Sequence, residues 1–213
     1  MRERFEKISE HMKKFGCALM GKAVYEATFM ENFHSAHDAA LVTAAHGAEI
    51  IIKACIAAEH PLLIFENISK INFNNDYLEE VLEKGKTIRY KDLPDLLQLT
   101  TGYEIKKRKE FYNFGKLRNQ IIHLGVGGGS YDTIQFAIEI IEPLINKFWR
   151  MTIFEEVCSH DSEAKYYLIE QCVEAKKSGQ LDFKISDVAL EGFDESSKKY
   201  LMQDFQINLD DYV

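Results

Sequence analysis

Ala39-Ala40-Leu41-Val42-Thr43-Ala44-Ala45-His46-Gly47-Ala48-Glu49-Ile50-Ile51-Ile52-Lys53-Ala54-Cys55-Ile56-Ala57-Ala58 is the run that decides the fold. Apolar or small residues at Ala39, Ala40, Val42, Thr43, Ala44, Ala45, Ile50, Ile51, Ala54, Cys55 and Ala58 spread over a wide helical face. A face of small residues lets another helix approach closely, which predicts a long helix at the centre of a bundle. It ends near His60-Pro61, because the residue before a proline avoids the α region.

Working outward from this helix, residues 3 to 33 keep helical spacing interrupted at Gly16 and Gly21, as one bent helix or two. Residues 67 to 90 are polar and rich in Asn, with a short helical stretch at 77 to 82, and read as an insertion over one end of the bundle. Asp92-Leu93-Pro94-Asp95 starts a helix that carries Leu96, Leu97 and Leu99 and stops at Gly102. The next helix spans about 107 to 124. Gly125-Val126-Gly127-Gly128-Gly129 ends it as an interhelical turn, without the lysine of a phosphate-cradling loop, and Ser130 is placed to cap its successor.

That successor carries Ile134, Phe136, Ala137, Ile138, Ile140, Ile141, Leu144, Ile145 and Phe148 almost all round, so it is expected to be buried, wholly in the bundle or partly by a second protomer. A last helix is expected over 161 to 178, capped by Asp161 or Ser162. Residues 181 to 213 mix apolar residues with acids, with a net charge of −4 over 191 to 213, and read as a docked appendage or a partner-binding segment. The expected architecture is an all-α, up-and-down bundle over 1 to 180, its core at about 20 to 150, with a polar insertion and an acidic tail.

Composition narrows the function. With 46% hydrophobic residues, collagen-like and wholly disordered chains are excluded, and 3 prolines in 213 with apolar runs at helical spacing disfavour a sheet-dominated fold. A net charge of −8 argues against wrapping duplex DNA through overall positive charge. No apolar stretch of membrane-spanning length stands out and the N-terminus is too charged for a signal peptide, so a cytoplasmic protein without membrane contact is expected. Cys17, Cys55, Cys158 and Cys172 form no close pair and read as reduced thiols. His34, His37, His46 and Glu49 offer i,i+3 spacings but no distant fourth ligand, so neither metal nor cofactor is expected.

The chemistry concentrates in Phe111-Tyr112-Asn113-Phe114-Gly115-Lys116-Leu117-Arg118-Asn119-Gln120-Ile121-Ile122-His123. On a helix, Phe114, Leu117, Ile121 and Leu124 form a stripe expected to face the core, while Asn119 and His123 project together from the other side with Arg118 at the border. Ile122 is stranded in water unless a second protomer covers it, and a twofold dimer would bring two histidines and two arginines to one groove. That set suits RNA phosphodiester cleavage. Histidine moves a proton near neutral pH, arginine stabilises charge on five-coordinate phosphorus, and the substrate's own 2′-hydroxyl is the nucleophile, giving a 2′,3′-cyclic phosphate without metal.

Arg118-Asn119-Gln120-Ile121-Ile122-His123 resembles the R-x4-6-H motif of HEPN domains, in the R-N-x-x-x-H form of their RNA-cleaving members, and His46 to Ala54 resembles the first core helix of many HEPN families. The likeness covers roughly residues 20 to 150. It implies an all-α homodimer and a metal-independent endoribonuclease of toxin, phage-defence or RNA-processing type, sometimes governed by an antitoxin or regulatory protein. By position it implies Arg118 and His123 as the catalytic pair, Asn119 as their support, and Glu49, with His46 nearby, as a contribution from the earlier helix. One toxin branch has a tyrosine two residues after the histidine; Gly125 stands here, so adenylylation is not inferred.

Lys106, Lys107, Arg108 and Lys109, with Lys116 and Arg118, read as the one basic cluster in an acidic chain. Tyr103, Phe111 and Tyr112 lie among them, a combination suited to the backbone and bases of single-stranded or looped RNA. Two other functions fit the same residues: a non-catalytic HEPN-like dimerisation module, and a sensor that holds a nucleotide ligand without cutting it.

Overall fold

The computed structural model describes residues 2–30, 35–66, 81, 84–125, 129–161, 163–181 and 196. The described residues are mostly helical: α1 (Arg2–Phe29), α2 (Ala36–Glu59), α3 (Leu93–Thr101), α4 (Arg108–Leu124), α5 (Ser130–Phe136), α6 (Glu142–Trp149), α7 (Ile153–Cys158) and α8 (Ala164–Lys177). A π-helical turn, Ala137–Ile141, joins α5 to α6. The all-α expectation holds, with one two-stranded ladder added.

The alanine-rich helix is the centre, as its small face requires. α2 packs against α1, α3, α4 and α5 and buries Leu41, Ala44, Ala45, Ala48, Ile51, Ile52, Cys55 and Ile56. It ends at His60, whose extended backbone leads into Pro61 and a short 3-10 turn. α2 is long and apolar enough, by length and composition, to cross a bilayer, contrary to the expectation that no stretch is; 67% of its most apolar window is buried inside the bundle.

Gly16 and Gly21 do not divide the first helix. They let neighbours press against its backbone: a Cβ on Gly16 would stand 2.8 Å from Ile51 Cγ1, and one on Gly21 2.8 Å from Glu156 Cβ. Gly47 of α2 faces Gly16 in turn, its absent Cβ 3.2 Å from the Gly16 carbonyl oxygen. The α1–α2 crossing is therefore a near-backbone contact of the kind that small residues permit.

Two short strands, β1 (Phe65–Glu66) and β2 (Lys86–Thr87), close the base of the insertion as an antiparallel pair, Phe65 opposite Thr87 and Glu66 opposite Lys86. The helical stretch expected at 77 to 82 lies outside the described residues except for Val81, which is buried. A 3-10 turn, Tyr90–Asp92, then leads into α3, which ends at left-handed Gly102 as expected. α4 ends at left-handed Gly125 in the same way.

Ser130 is the first helical residue of α5 and not its cap. The extended Gly129 holds the cap position, and the Asp132 carboxylate reaches back to accept its N–H at 3.0 Å. The short α7 was not anticipated. The buried Glu142 carboxylate organises it, accepting the Thr152 hydroxyl and the Ile153 N–H, each at 2.7 Å. α8 takes Glu163, and neither Asp161 nor Ser162, at its cap position; the Asp161 side chain instead accepts the Glu163 N–H at 2.9 Å in the turn before it, and Ser162 lies outside the described residues. Leu181 is buried, and the acidic tail beyond it falls outside them too, apart from Ser196.

Candidate functional site

The register of α4 decides which side chains reach solvent. Phe111, Phe114 and Gly115 are buried in the bundle, with Phe114 stacked on Phe136 at 3.7 Å between ring centroids. The expected core stripe does not continue. Leu117 and Ile121 are only half-buried, and Leu124 is 72% exposed. The bundle covers the first half of α4 and leaves its last turns standing clear. Ile122 is 50% exposed, as its position between Arg118 and the polar face predicted.

The polar face is continuous. Tyr112, Lys116, Asn119 and His123 recur at i, i+4, i+7 and i+11, within about 60° of one another around the helix axis. The first three, with Gly115 and Arg118, form one wall of a cleft of about 990 Å³. Lys86, Thr87, Ile88, Arg89, Tyr90 and Lys91 form the opposite wall, and Glu49 of α2 also lines it. His123 stands one turn past Asn119 on the same face, exposed and beyond the lining residues.

The wall at 86–91 is a strap fastened at several points. Tyr90 stacks flat on Phe111, with centroids 4.3 Å apart and planes 5° apart, and its hydroxyl donates to the Phe111 carbonyl at 3.4 Å. Ile88 N–H donates to the Ile64 carbonyl at 2.8 Å. The buried Lys53 ammonium reaches across from α2, donating to Glu49 Oε1 at 2.6 Å and to Thr87 Oγ1 at 2.9 Å. Burial, with Glu49 adding to it, pushes the Tyr90 phenol well above its ordinary range despite the nearby Arg118 cation, so its proton stays in place.

Arg118 is the unsatisfied member of the site. Its Nη1 donates to Asn119 Oδ1 at a long 3.5 Å, while its Nε is shielded from solvent without a hydrogen-bond partner. Among the described residues Lys91, Lys116 and Arg118 form no ion pair, whereas Lys86 and Arg89 are tied to Glu66 at 3.2 and 3.4 Å, and Arg89 also to Asp92 at 3.0 Å. A guanidinium that lines the cleft without an ion pair, together with two ammonium groups in the same state, can receive an oxyanion.

The other sequence candidates lie apart from this cleft. Lys107 pairs with the nearly buried Glu139 carboxylate at 2.7 Å, and Arg108 bridges to Asp95 and Gln98 of α3. Both tie α4 to neighbouring helices. Lys106, Lys109 and His46 are exposed and do not line the cleft. Cys17, Cys55 and Cys172 are buried free thiols and Cys158 is half-buried. Among the described residues, no group of three or more His, Cys, Asp and Glu side chains could hold a metal ion.

The strap residues were missed in the sequence, and a signal for them exists. Lys84-Gly85-Lys86-Thr87-Ile88-Arg89-Tyr90-Lys91 holds four cations in eight residues, so 106 to 109 is not the one basic cluster. Its neighbours are acidic and Asn-rich, which hides the run in a window average. Compared with known proteins, the chain matches no family model, no curated protein and no solved structure.

Proposed function

We propose that this protein is a metal-independent, HEPN-type endoribonuclease that acts in the cytoplasm as a homodimer. One observation carries the reading: the Arg118 guanidinium, without an ion pair among the described residues, lines the cleft beside Asn119 on a helix face that leads, one turn on, to the exposed His123. The guanidinium binds the scissile phosphate and stabilises its added negative charge during 2′-hydroxyl attack. Asn119 positions the guanidinium. One His123 imidazole takes the 2′-hydroxyl proton and the partner protomer's copy protonates the leaving 5′-oxygen, leaving a 2′,3′-cyclic phosphate. A second chain packed over Ile122 removes apolar surface from water and brings the two histidines to one groove. The HEPN resemblance suggests a toxin, phage-defence or RNA-processing role, with a regulatory protein as a further partner.

The test is incubation with mixed single-stranded and hairpin RNAs in EDTA, followed by mapping of the product ends. Cleavage to cyclic phosphate ends, lost in His123→Ala and in Arg118→Ala, supports the reading. Uncut RNA, with and without added divalent metal, overturns it. A second reading, a module that binds RNA or a nucleotide without cutting it, is favoured by the position of His123 outside the cleft lining. It predicts binding that Arg118→Ala abolishes and His123→Ala leaves intact.

A further inference from the structure

The R-N-x-x-x-H motif supplies Arg118 and Asn119 to the α4 wall of the cleft; the strap at 86–91 is the other wall, and its chemistry points to what crosses between them. Lys86 and Arg89 are neutralised by Glu66 and Asp92, but the exposed Lys91 forms no ion pair among the described residues. Lys116 and Arg118 are equally free on the α4 side, and the acid in the lining, Glu49, is already bound by Lys53 at 2.6 Å. Three cations without an ion pair among the described residues therefore face one space in a chain of net charge −8. The half-buried ring of Tyr112 shares that space. At about 990 Å³ it lies at the upper end of the range for small-molecule sites, about 300–1,000 Å³, and it opens to solvent. Several separated cations and an aromatic ring in an open groove match a repeating polyanion with flat bases better than one compact anion.

We infer that the strap is the second half of a groove for single-stranded RNA, in which Lys91 and Lys116 hold backbone phosphates flanking the phosphate at Arg118 and Tyr112 stacks a base. The proposal rests on the ribonuclease reading for the nature of its ligand and extends it to residues outside the motif. The strap's fastenings keep Lys91 opposite Lys116 before any ligand arrives, so the groove is preformed.

The experiment is fluorescence anisotropy with a labelled, mixed-sequence 2′-O-methyl RNA of about 12 nucleotides, a length that spans such a groove and cannot be cleaved. Lys91→Ala and Lys116→Ala should each weaken binding fivefold or more and lower the slope of log affinity against log salt by about 0.7, the value for one single-strand phosphate contact. Tyr112→Ala should weaken binding by a similar factor with the slope unchanged. Lys147→Ala, an exposed lysine elsewhere, should stay within twofold, and thermal melts should show all four variants folded. Lys91→Ala and Lys116→Ala within twofold of wild type, or a loss matched by Lys147→Ala, overturns the proposal. So does equal affinity for a duplex of the same length, or no wild-type binding at 100 µM protein. Strong binding lost in Lys91→Ala, in a protein that leaves ordinary RNA uncut, defeats the nuclease reading alone.

Discussion

Gly115 and Tyr90 meet at a point that leaves no room for a side chain on the helix: a Cβ on Gly115 would stand 2.6 Å from Tyr90 Cε1 and 2.8 Å from Cδ1. The ring cannot retreat, because Phe111 lies parallel to it at 4.3 Å between centroids. One missing methyl group thus sets the distance between the two walls of the cleft. Gly115→Ala is expected to destabilise the fold by about 1–3 kcal/mol, as overpacking does, despite the higher helix propensity of alanine. It should also weaken binding of single-stranded RNA. Urea unfolding and anisotropy check the two effects; a variant more stable than wild type would show that the contact is not tight.

Lys107 pairs with a carboxylate that is almost wholly buried, Glu139, whose side chain is 3% exposed. Removing the ammonium takes away a charged partner that the carboxylate's desolvation requires. Lys107→Ala is expected to lower stability by about 1–3 kcal/mol in urea unfolding. Unchanged stability with reduced RNA binding would move this lysine into the RNA-contacting set.

Burial pushes the Cys17 and Cys172 thiols up from 9.0 to about 12, with Glu156 and Glu142 adding to the effect at the two sites respectively. The folded chain keeps these protons at pH values where the unfolded chain releases them. Their contribution is complete below pH 9 and is lost as pH rises from 9 toward 12. Unfolding midpoints measured from pH 8 to 11 should fall, and the fall should be shallower in Cys17→Ala/Cys172→Ala by up to about two protons per molecule. Parallel slopes in the two proteins would refute the assignment.

Arg118→Lys keeps the charge and discards the planar, two-pronged donor. RNA cleavage in EDTA is expected to drop by about 100-fold or more, on the scale of losing one oxyanion-stabilising donor. Thermal stability should be unchanged, because the shielded Nε makes no hydrogen bond that the folded chain could lose. Retention of a tenth or more of the activity would reduce Arg118 to a simple counter-charge.

Ile122 and Leu124 expose half and nearly three quarters of their surface in the last turn of α4, two residues apart and so on different sides of the helix. Ile122→Glu/Leu124→Glu is expected to convert a micromolar dimer into monomer in sedimentation velocity and to abolish cleavage with it. Cleavage by a monomeric double variant would separate the chemistry from dimerisation.

Much of the bundle is legible in the residues. Pro61, Gly102 and Gly125 end their helices where local stereochemistry says they must, and the alanines of α2 announce a helix that others pack against closely. Periodicity also brings Asn119 and His123 to one face of α4 and leaves Ile122 outside. It reads less well at Leu124, because a helical stripe says which side is apolar and not how far along the helix neighbours will cover it.

What belongs to the sequence alone is therefore local: where helices start and stop, which faces are apolar, and that a cation, an amide and an imidazole share a ridge. What only the tertiary structure decides is opposition. Lys91 comes to lie across a cleft from Lys116 because β1 and β2 pair, Lys53 reaches Thr87, and Tyr90 settles on Gly115 and Phe111. Those contacts join segments separated by tens of residues, and periodicity along a single helix carries no information about them. The same packing turns Lys107 and Arg108 from open cations into ties between helices, since the energy of an ion pair depends on a partner whose position the whole fold sets.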